Sequence, residues 1–350
     1  MTLTKREIEL EQKVAELSAQ AREVPQLRAK TAVLQKERDK LLQQLGLIES
    51  LDRGRIAVPD WIAPPKPVRG HHATLCLLVT DTHFDEVVNP DEVDGINCYN
   101  REIAELRLRR CFERTIMLAR DYLSGIKYDG VALFLGGDVF SGNIHEELEV
   151  TNEQPITEAL VRMSYALYDF GRSLAETVPN VTMIVMPGNH PRLERKPRMK
   201  NAWNNFEWAM GMFVQALAHD TFTVVVPKDL VHRFTIFDQT IGLSHGDGVK
   251  SQSFAGVPWY SMKQRRDAIQ ALLKSLSLPQ IDLLVYGHYH QMFFEEGSGS
   301  SLLVNGSIKG YDEYILKTKY SGQTPIQALL TFHPTHGLTD LSRINLGSVK

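Results

Sequence analysis

Seven side chains in this sequence could together bind metal: Asp81, His83, Asp138, Asn189, His245, His288 and His290. Each follows a short apolar run. "TLCLLVT" leads into "DTHFDE", "VALFL" into "GGDVF", "VTMIVM" into "PGNH", "IGL" into "SHGDG", and "IDLLVY" into "GHYHQ". Taken singly these are ordinary strand ends, because Asp and Gly terminate strands and a lone His is more often a surface or core residue than a ligand. Five of them in one chain form a pattern. Strand ends of one α/β sheet converge on a single edge, where such folds hold ligands. Carboxylate, imidazole and carboxamide donors make a mixed oxygen and nitrogen set, suited to Mn²⁺, Fe or Zn²⁺ rather than Ca²⁺. One ion does not need so many ligands. The number becomes sensible when one carboxylate bridges two ions about 3.5 to 4 Å apart, an arrangement that activates a water and clamps phosphoryl oxygens.

In this order, D-x-H at 81–83, G-D at 137–138, G-N-H at 188–190, the later His245 and G-H-x-H at 287–290 resemble the signature of the calcineurin-like metallophosphoesterases. The resemblance spans His72 to Gly310. It implies Asp81, His83 and His290 as ligands of a first ion, and Asn189, His245 and His288 as ligands of a second, with Asp138 bridging the two. His190 matches the family's non-ligand histidine, which contacts the phosphate and helps protonate the leaving oxygen. The implied cofactor is a pair of divalent ions, Mn²⁺ first, with Fe, Zn²⁺, Ni²⁺ or Mg²⁺ as alternatives. The implied chemistry is in-line attack by a metal-activated water without a covalent enzyme intermediate. Two departures from the family pattern stand out. Pro191 replaces the acid that commonly follows G-N-H, which leaves the orienting partner of His190 open. "GDVFSG" also lacks the acidic residue of the protein phosphatase branch.

Further pieces, "SGNIHEEL", "GNHPRLERKPRMKNAWNNFEW", "SHGDG" and "NGSIKGYDEY", resemble a branch common in phage genomes and regarded as DNA exonuclease-like. The cations that follow G-N-H, Arg192, Arg195, Lys196, Arg198 and Lys200, are candidates for holding a nucleic acid or another phosphodiester. A solvated surface loop has the same composition. Trp203, Phe206 and Trp208 could stack bases, although their helical spacing favours core packing. His145, Glu146 and Glu147 could face the site, and a helix start with early acids accounts for them equally well. The expected function is a dinuclear metal-dependent phosphodiesterase, a DNA nuclease or exonuclease. The alternatives are a phosphomonoesterase or cyclic-nucleotide phosphodiesterase, and a coiled-coil assembly protein with a vestigial catalytic domain.

The elements that must position these residues follow from pattern. Apolar runs alternate with helical stretches near 100–123, 155–178, 203–218 and 259–276, and late β-rich runs lie at 301–304 and 326–332, which argues for a layered α/β fold. With the family resemblance, the expectation is a four-layer α/β/β/α metallophosphoesterase sandwich over 72–345, preceded by an N-terminal helical coiled-coil segment. That segment, expected over 1–50, carries Leu10, Val14, Leu17, Ala21 and Val24 at coiled-coil spacing. The seam then slips at Pro25 to Leu27, Thr31, Leu34, Arg38, Leu41, Leu45 and Ile48, so two helical pieces with a break or kink are expected. A homo-oligomer through these helices is the sharper reading; a charged helix lying on the globular domain is the plainer one. Residues 51–71 hold four prolines and read as an extended linker. The segment 84–99 is longer than a turn requires and reads as a pocket rim or a subunit contact.

Composition sets the outer bounds. At 350 residues, 43% apolar and with a net charge of −3, the chain fits a soluble protein of one or two domains, and a coat of positive charge is excluded. Cys76, Cys98 and Cys111 form no paired framework, which points to a reducing compartment and away from a cysteine zinc site. No apolar run is long enough to span a membrane and no signal-peptide core is present, so no membrane partner and a cytoplasmic location are expected.

Overall fold

The structure is a computed structural model and describes residues 5–53, 71–122, 125–196, 200, 203–249, 258–318 and 323–347. It divides into two units, 1–68 and 69–350. The first holds one long helix, α1 (Lys5–Arg53). Of the expected break or kink, the break does not occur: α1 runs uninterrupted through Pro25. Proline withholds one N–H from the carbonyl four residues earlier, and the bonds on either side carry the helix across the gap. Leu10, Val14, Leu17, Val24, Leu27 and Leu34 are all exposed on this helix. The helix ends three residues beyond the expected limit of 50, and the rest of the expected linker, 54–70, lies outside the described residues.

The second unit is mixed α/β with two sheets. Its strands are β1 (His71–Val79), β2 (Ile126–Leu135), β3 (Val181–Val185), β4 (Thr223–Val225), β5 (His232–Ile236), β6 (Gln239–Ser244), β7 (Leu283–Tyr286), β8 (Phe293–Glu295), β9 (Ser301–Val304), β10 (Ile326–His333) and β11 (Gly337–Asn345). The first sheet has the order β11-β10-β1-β2-β3-β4 and the second β5-β6-β7-β9-β8. β1 to β4 are parallel, as are β6, β7 and β9. Register brings their carboxyl ends level. Val79 pairs Leu135, which pairs Val185, and Ser244 pairs Tyr286, which pairs Val304. The next residues on each strand therefore leave both sheets at matching heights.

Period-2 alternation explains how these strands pack. Leu75, Leu77 and Val79 of β1, with Leu133 and Leu135 of β2, join a cluster that includes Leu108 and Cys111 of α2 (Arg101–Met117). The same cluster takes Met163 and Leu167 of α4 (Ile156–Ala175) and Met210 and Val214 of α5 (Phe206–Ala218). The intervening Cys76, Leu78, Ala132 and Phe134 instead meet Ile241, Leu243, Val285 and Leu303 of the second sheet. On that sheet's other side, Leu284, Tyr286, Leu302 and Val304 pack with Met262 and Leu273 of α6 (Trp259–Ser275). Each such leucine contributes about 1.5 to 3 kcal/mol through burial. Two short helices, α3 (Glu146–Thr151) and α7 (Glu313–Thr318), complete the α-helices among the described residues, beside a 3-10 turn at Pro90–Glu92 and a π-helical turn at Leu118–Tyr122.

The segment 84–99 folds back on its own unit. Phe84, Val88, Val93 and Tyr99 are buried, and Asn97 donates to the carbonyls of Lys309 (3.0 Å) and Tyr311 (2.6 Å). Among the described residues no helix is long and apolar enough to cross a membrane. Cys76 and Cys111 are buried, Cys98 is exposed, and all three are free thiols.

Candidate metal centre

At the level carboxyl ends, the chain turns sharply. Asp81, His83, Asp138, His288 and His290 all have left-handed backbones, with φ of 54°, 49°, 52°, 68° and 55°. Such a conformation is uncommon for residues other than glycine, and Asp and His tolerate it better than most. Five of the seven candidate ligands adopt it, and sparsely populated backbone states cluster where function requires them. Backbone bonds hold the turns against one another. Asp81 N–H donates to the Gly137 carbonyl (3.0 Å), His83 N–H to the Asp138 carbonyl (2.9 Å) and Gly287 N–H to the His245 carbonyl (2.9 Å). Gly188 is one of the tightest points. A Cβ there would lie 2.1 Å from Asp138 Oδ1, so only glycine lets the Asn189 turn reach the carboxylate.

Three groups of donors form where these turns meet: Asp81, His83 and His290; His83, Asp138 and His190; and Asp138, His245 and His288. Within each group the donor atoms lie within 4.8 Å of one another. His83 Nε2 is 3.1 Å from His290 Nε2, which is 3.5 Å from Asp81 Oδ1. On the other side, His245 Nε2 is 2.9 Å from Asp138 Oδ2 and 3.1 Å from Asn189 Oδ1. All seven expected ligands are thus brought together, and Asp138 shares one donor group with His83 and His190 and another with His245 and His288.

The electrostatics match a site built for cations. Burial lowers His83 well below the ordinary imidazole range, helped by the charges of Lys309, His190 and His290. Burial and His245 push His288 down to about 3. These imidazoles are therefore neutral, the form that ligates metal. Burial alone would raise the Asp138 carboxyl, but His245 and His190 hold it well below the usual carboxylate range. Burial disfavours a charged His245, yet the Asp138 carboxylate raises it well above its ordinary value, so a proton sits where a cation would bind. Two imidazole nitrogens facing each other beside a carboxylate, with His290 Nδ1 buried and unpaired, fit divalent ions of the Mn²⁺, Fe or Zn²⁺ type.

His190 stands beside this set, its ring 4.5 Å from that of His83. Its backbone N–H donates to Asp138 Oδ1 (2.8 Å), and its Nδ1 lies 2.8 Å from the Ser141 carbonyl. That carbonyl takes the place of the acid missing at Pro191. A carbonyl only accepts, so Nδ1 carries the hydrogen of this contact. The His145 ring is 5.4 Å from that of His190, so of the acidic helix start it is His145 that reaches the site. Glu146 and Glu149 instead pair with Arg195.

The basic loop is partly self-engaged. Arg192 spends its guanidinium on the carbonyls of Asn189 (3.1 Å), Glu194 (2.8 Å) and Arg195 (2.8 Å). Arg195 binds Glu146 (2.7 Å) and Glu149 (2.5 Å), tying the loop to α3. Lys196 and Lys200 are exposed, and Arg198 lies outside the described residues. Trp203 and Trp208 are half-buried at 5.4 Å between ring centroids, with Lys228 Nζ 4.2 Å above the Trp203 ring.

Several further residues support the site, none of them singled out from the sequence. Glu207 of α5 is fully buried and accepts from the N–H groups of Val139 and Gly188. Glu86 Oε2 lies 3.0 Å from His83 Nδ1, a close contact not aligned as a hydrogen bond. Its other oxygen is 2.7 Å from the buried Lys309 ammonium, which also meets Asp312. Ser307 Oγ donates to the Asp81 carbonyl (2.8 Å). Ser307 and Lys309 sit in the quoted "NGSIKGYDEY", where only the resemblance marked them.

Neither the family models nor the curated proteins give a match to this chain. Solved structures do. The chain is similar to a novel archaeal phosphodiesterase, with 11% identity over 77% of this chain and 99% of that one and a TM-score of 0.35. It is also similar to the phosphoesterase YfcE from E. coli, at 14% identity over 77% of this chain and all 100% of that one, with a TM-score of 0.34. A third is wild-type Vps29 complexed with Zn²⁺ from Entamoeba histolytica, at 16% identity over 78% and 99%, with a TM-score of 0.30. Scores this low align the chains only loosely, so the chemistry is read from this chain's own side chains.

Proposed function

We propose that this protein is a metal-dependent phosphoesterase with the α/β/β/α sandwich of the calcineurin-like enzymes, and that it hydrolyses phosphodiester bonds. The observation that carries this reading is the Asp138 carboxylate shared by two donor groups, with His190 beside it. Asp81, His83 and His290 would hold one divalent ion, Asn189, His245 and His288 another, with Asp138 between them. Bound there, the ions supply Lewis acidity to phosphoryl oxygens and an activated water. The rest belongs to the protein. Left-handed turns fix the ligands before substrate arrives, and the neutral Asn189 carboxamide adds a hard oxygen without adding charge to Asp81 and Asp138. His190, oriented by Ser141, would direct Nε2 at the scissile phosphate and, acting as an imidazolium that keeps its Nδ1 hydrogen on the Ser141 carbonyl, would give its Nε2 proton to the leaving oxygen.

The favoured substrate is a nucleic acid. Lys196, Arg198 and Lys200 follow the catalytic turn directly and are suited to gripping phosphates beyond the scissile one, while Arg192 and Arg195 brace the loop that carries them. Mn²⁺ is the preferred ion. The test is a Mn²⁺-dependent screen against single- and double-stranded DNA, RNA, cyclic nucleotides and phosphomonoesters. Cleavage of DNA is expected; cleavage of cyclic nucleotides with intact DNA would reject the nuclease reading while keeping the phosphodiesterase one.

A further inference from the structure

We infer that Glu207 is a positioning residue for the second ion, its carboxylate holding the Asp138 and Asn189 turns at their working separation. The inference rests on the metal reading above and adds to it a residue that makes no metal contact.

The pairing of β2 with β3 ends at the Met186 N–H, which donates to the Leu135 carbonyl at 2.8 Å. Beyond that bond the two strands turn toward the site, joined there by the His190 N–H to Asp138 Oδ1 (2.8 Å), and Glu207 bridges them a second time. One carboxylate oxygen accepts the N–H of Val139, which follows Asp138, and the other accepts the N–H of Gly188, which precedes Asn189, at 2.6 Å. The side chain is 0% exposed; burial and the nearby Asp138 carboxylate push its carboxyl up to about 8, while the Gly188 and Val139 N–H groups and His245 act the other way and favour the charged form. Asn205 holds the same turn from its other side. Its amide donates to the Gly188 carbonyl (2.8 Å), and its Oδ1 accepts the Glu207 N–H (2.8 Å) as the N-cap of α5. Gly188 is therefore fixed through both its N–H and its C=O, in a gap too small for a Cβ. Movement of this turn carries Asn189 Oδ1 away from His245 Nε2, now 3.1 Å distant.

Glutamine at 207 would keep the shape and lose the arrangement. It has one acceptor oxygen for two backbone donors, and its NH₂ would face the second N–H. The experiment is equilibrium dialysis of the full-length protein against Mn²⁺, with metal analysis and electron paramagnetic resonance, on wild type and Glu207→Gln, folding being checked by circular dichroism. Wild type is expected to bind two ions and show a coupled pair. Folded Glu207→Gln is expected to keep one ion, bind the second about 10 to 100-fold more weakly and show an isolated signal. Wild-type affinity and coupling in folded Glu207→Gln would overturn the inference alone. Absence of Mn²⁺ from the wild type would overturn the metal reading and this inference with it. If Glu207→Gln does not fold, Asn205→Ser decides. Serine still caps α5 but lacks the donor to Gly188, so weaker binding of the second ion supports the inference and unchanged binding overturns it.

Discussion

His190 shows how a single residue can be legible in type and hidden in setting. G-N-H marked it, yet its partner is a backbone carbonyl, that of Ser141, and no sequence pattern announces a carbonyl. Its expected role gives a direct prediction: His190→Ala should retain two Mn²⁺ ions and lose about 10² to 10⁴-fold in kcat, the range for removing a general acid. Metal analysis beside steady-state kinetics on a chromogenic phosphodiester checks both halves. Lys309 tests the support behind His83. It is buried between Glu86 and Asp312, and burial, which would lower it, is outweighed by these two carboxylates, which raise it. Lys309→Met strands two buried carboxylates and is expected to cost about 3 to 5 kcal/mol, read by urea denaturation. Glu86, Glu207 and Lys309 lie within quoted pieces of sequence, but their partners were not legible: Glu207 accepts from Val139 and Glu86 from Lys309 across long separations that only the fold closes.

At the scale of elements, the sequence was most informative where strands are buried and parallel. Continuous apolar runs marked β1, β2, β3 and β7, and the polar residues after them mapped onto the level carboxyl ends seen in the structure. The short or half-exposed strands β4, β5, β8 and β11 were not anticipated, because their side chains alternate too weakly or over too few residues. α1 departed from expectation in the other direction, continuing through Pro25. The element that governs the site most closely is the turn after β3. Gly188→Ala places a methyl 2.1 Å from Asp138 Oδ1, so the variant is expected to lose bound Mn²⁺ and phosphodiesterase activity together. Titration calorimetry with Mn²⁺ checks the first and turnover the second.

At the scale of the whole molecule, two units share one chain. The second unit contains every candidate ligand, each supported by hydrogen bonds within that unit. The first presents an exposed apolar seam along α1, and we propose that it joins copies of the chain. Removing residues 1–67 is therefore expected to lower the number of subunits given by light scattering while leaving Mn²⁺ stoichiometry per chain unchanged. Retention of the full-length protein's subunit number would assign oligomerisation to the second unit.

The central claim is that Asp138 sits between two ions. Anomalous diffraction at the manganese edge from crystals grown with Mn²⁺ tests it most directly. Two peaks flanking the Asp138 carboxylate, about 3.5 to 4 Å apart, are expected. A single peak, or none, with Asp138 paired only to His245 would contradict it.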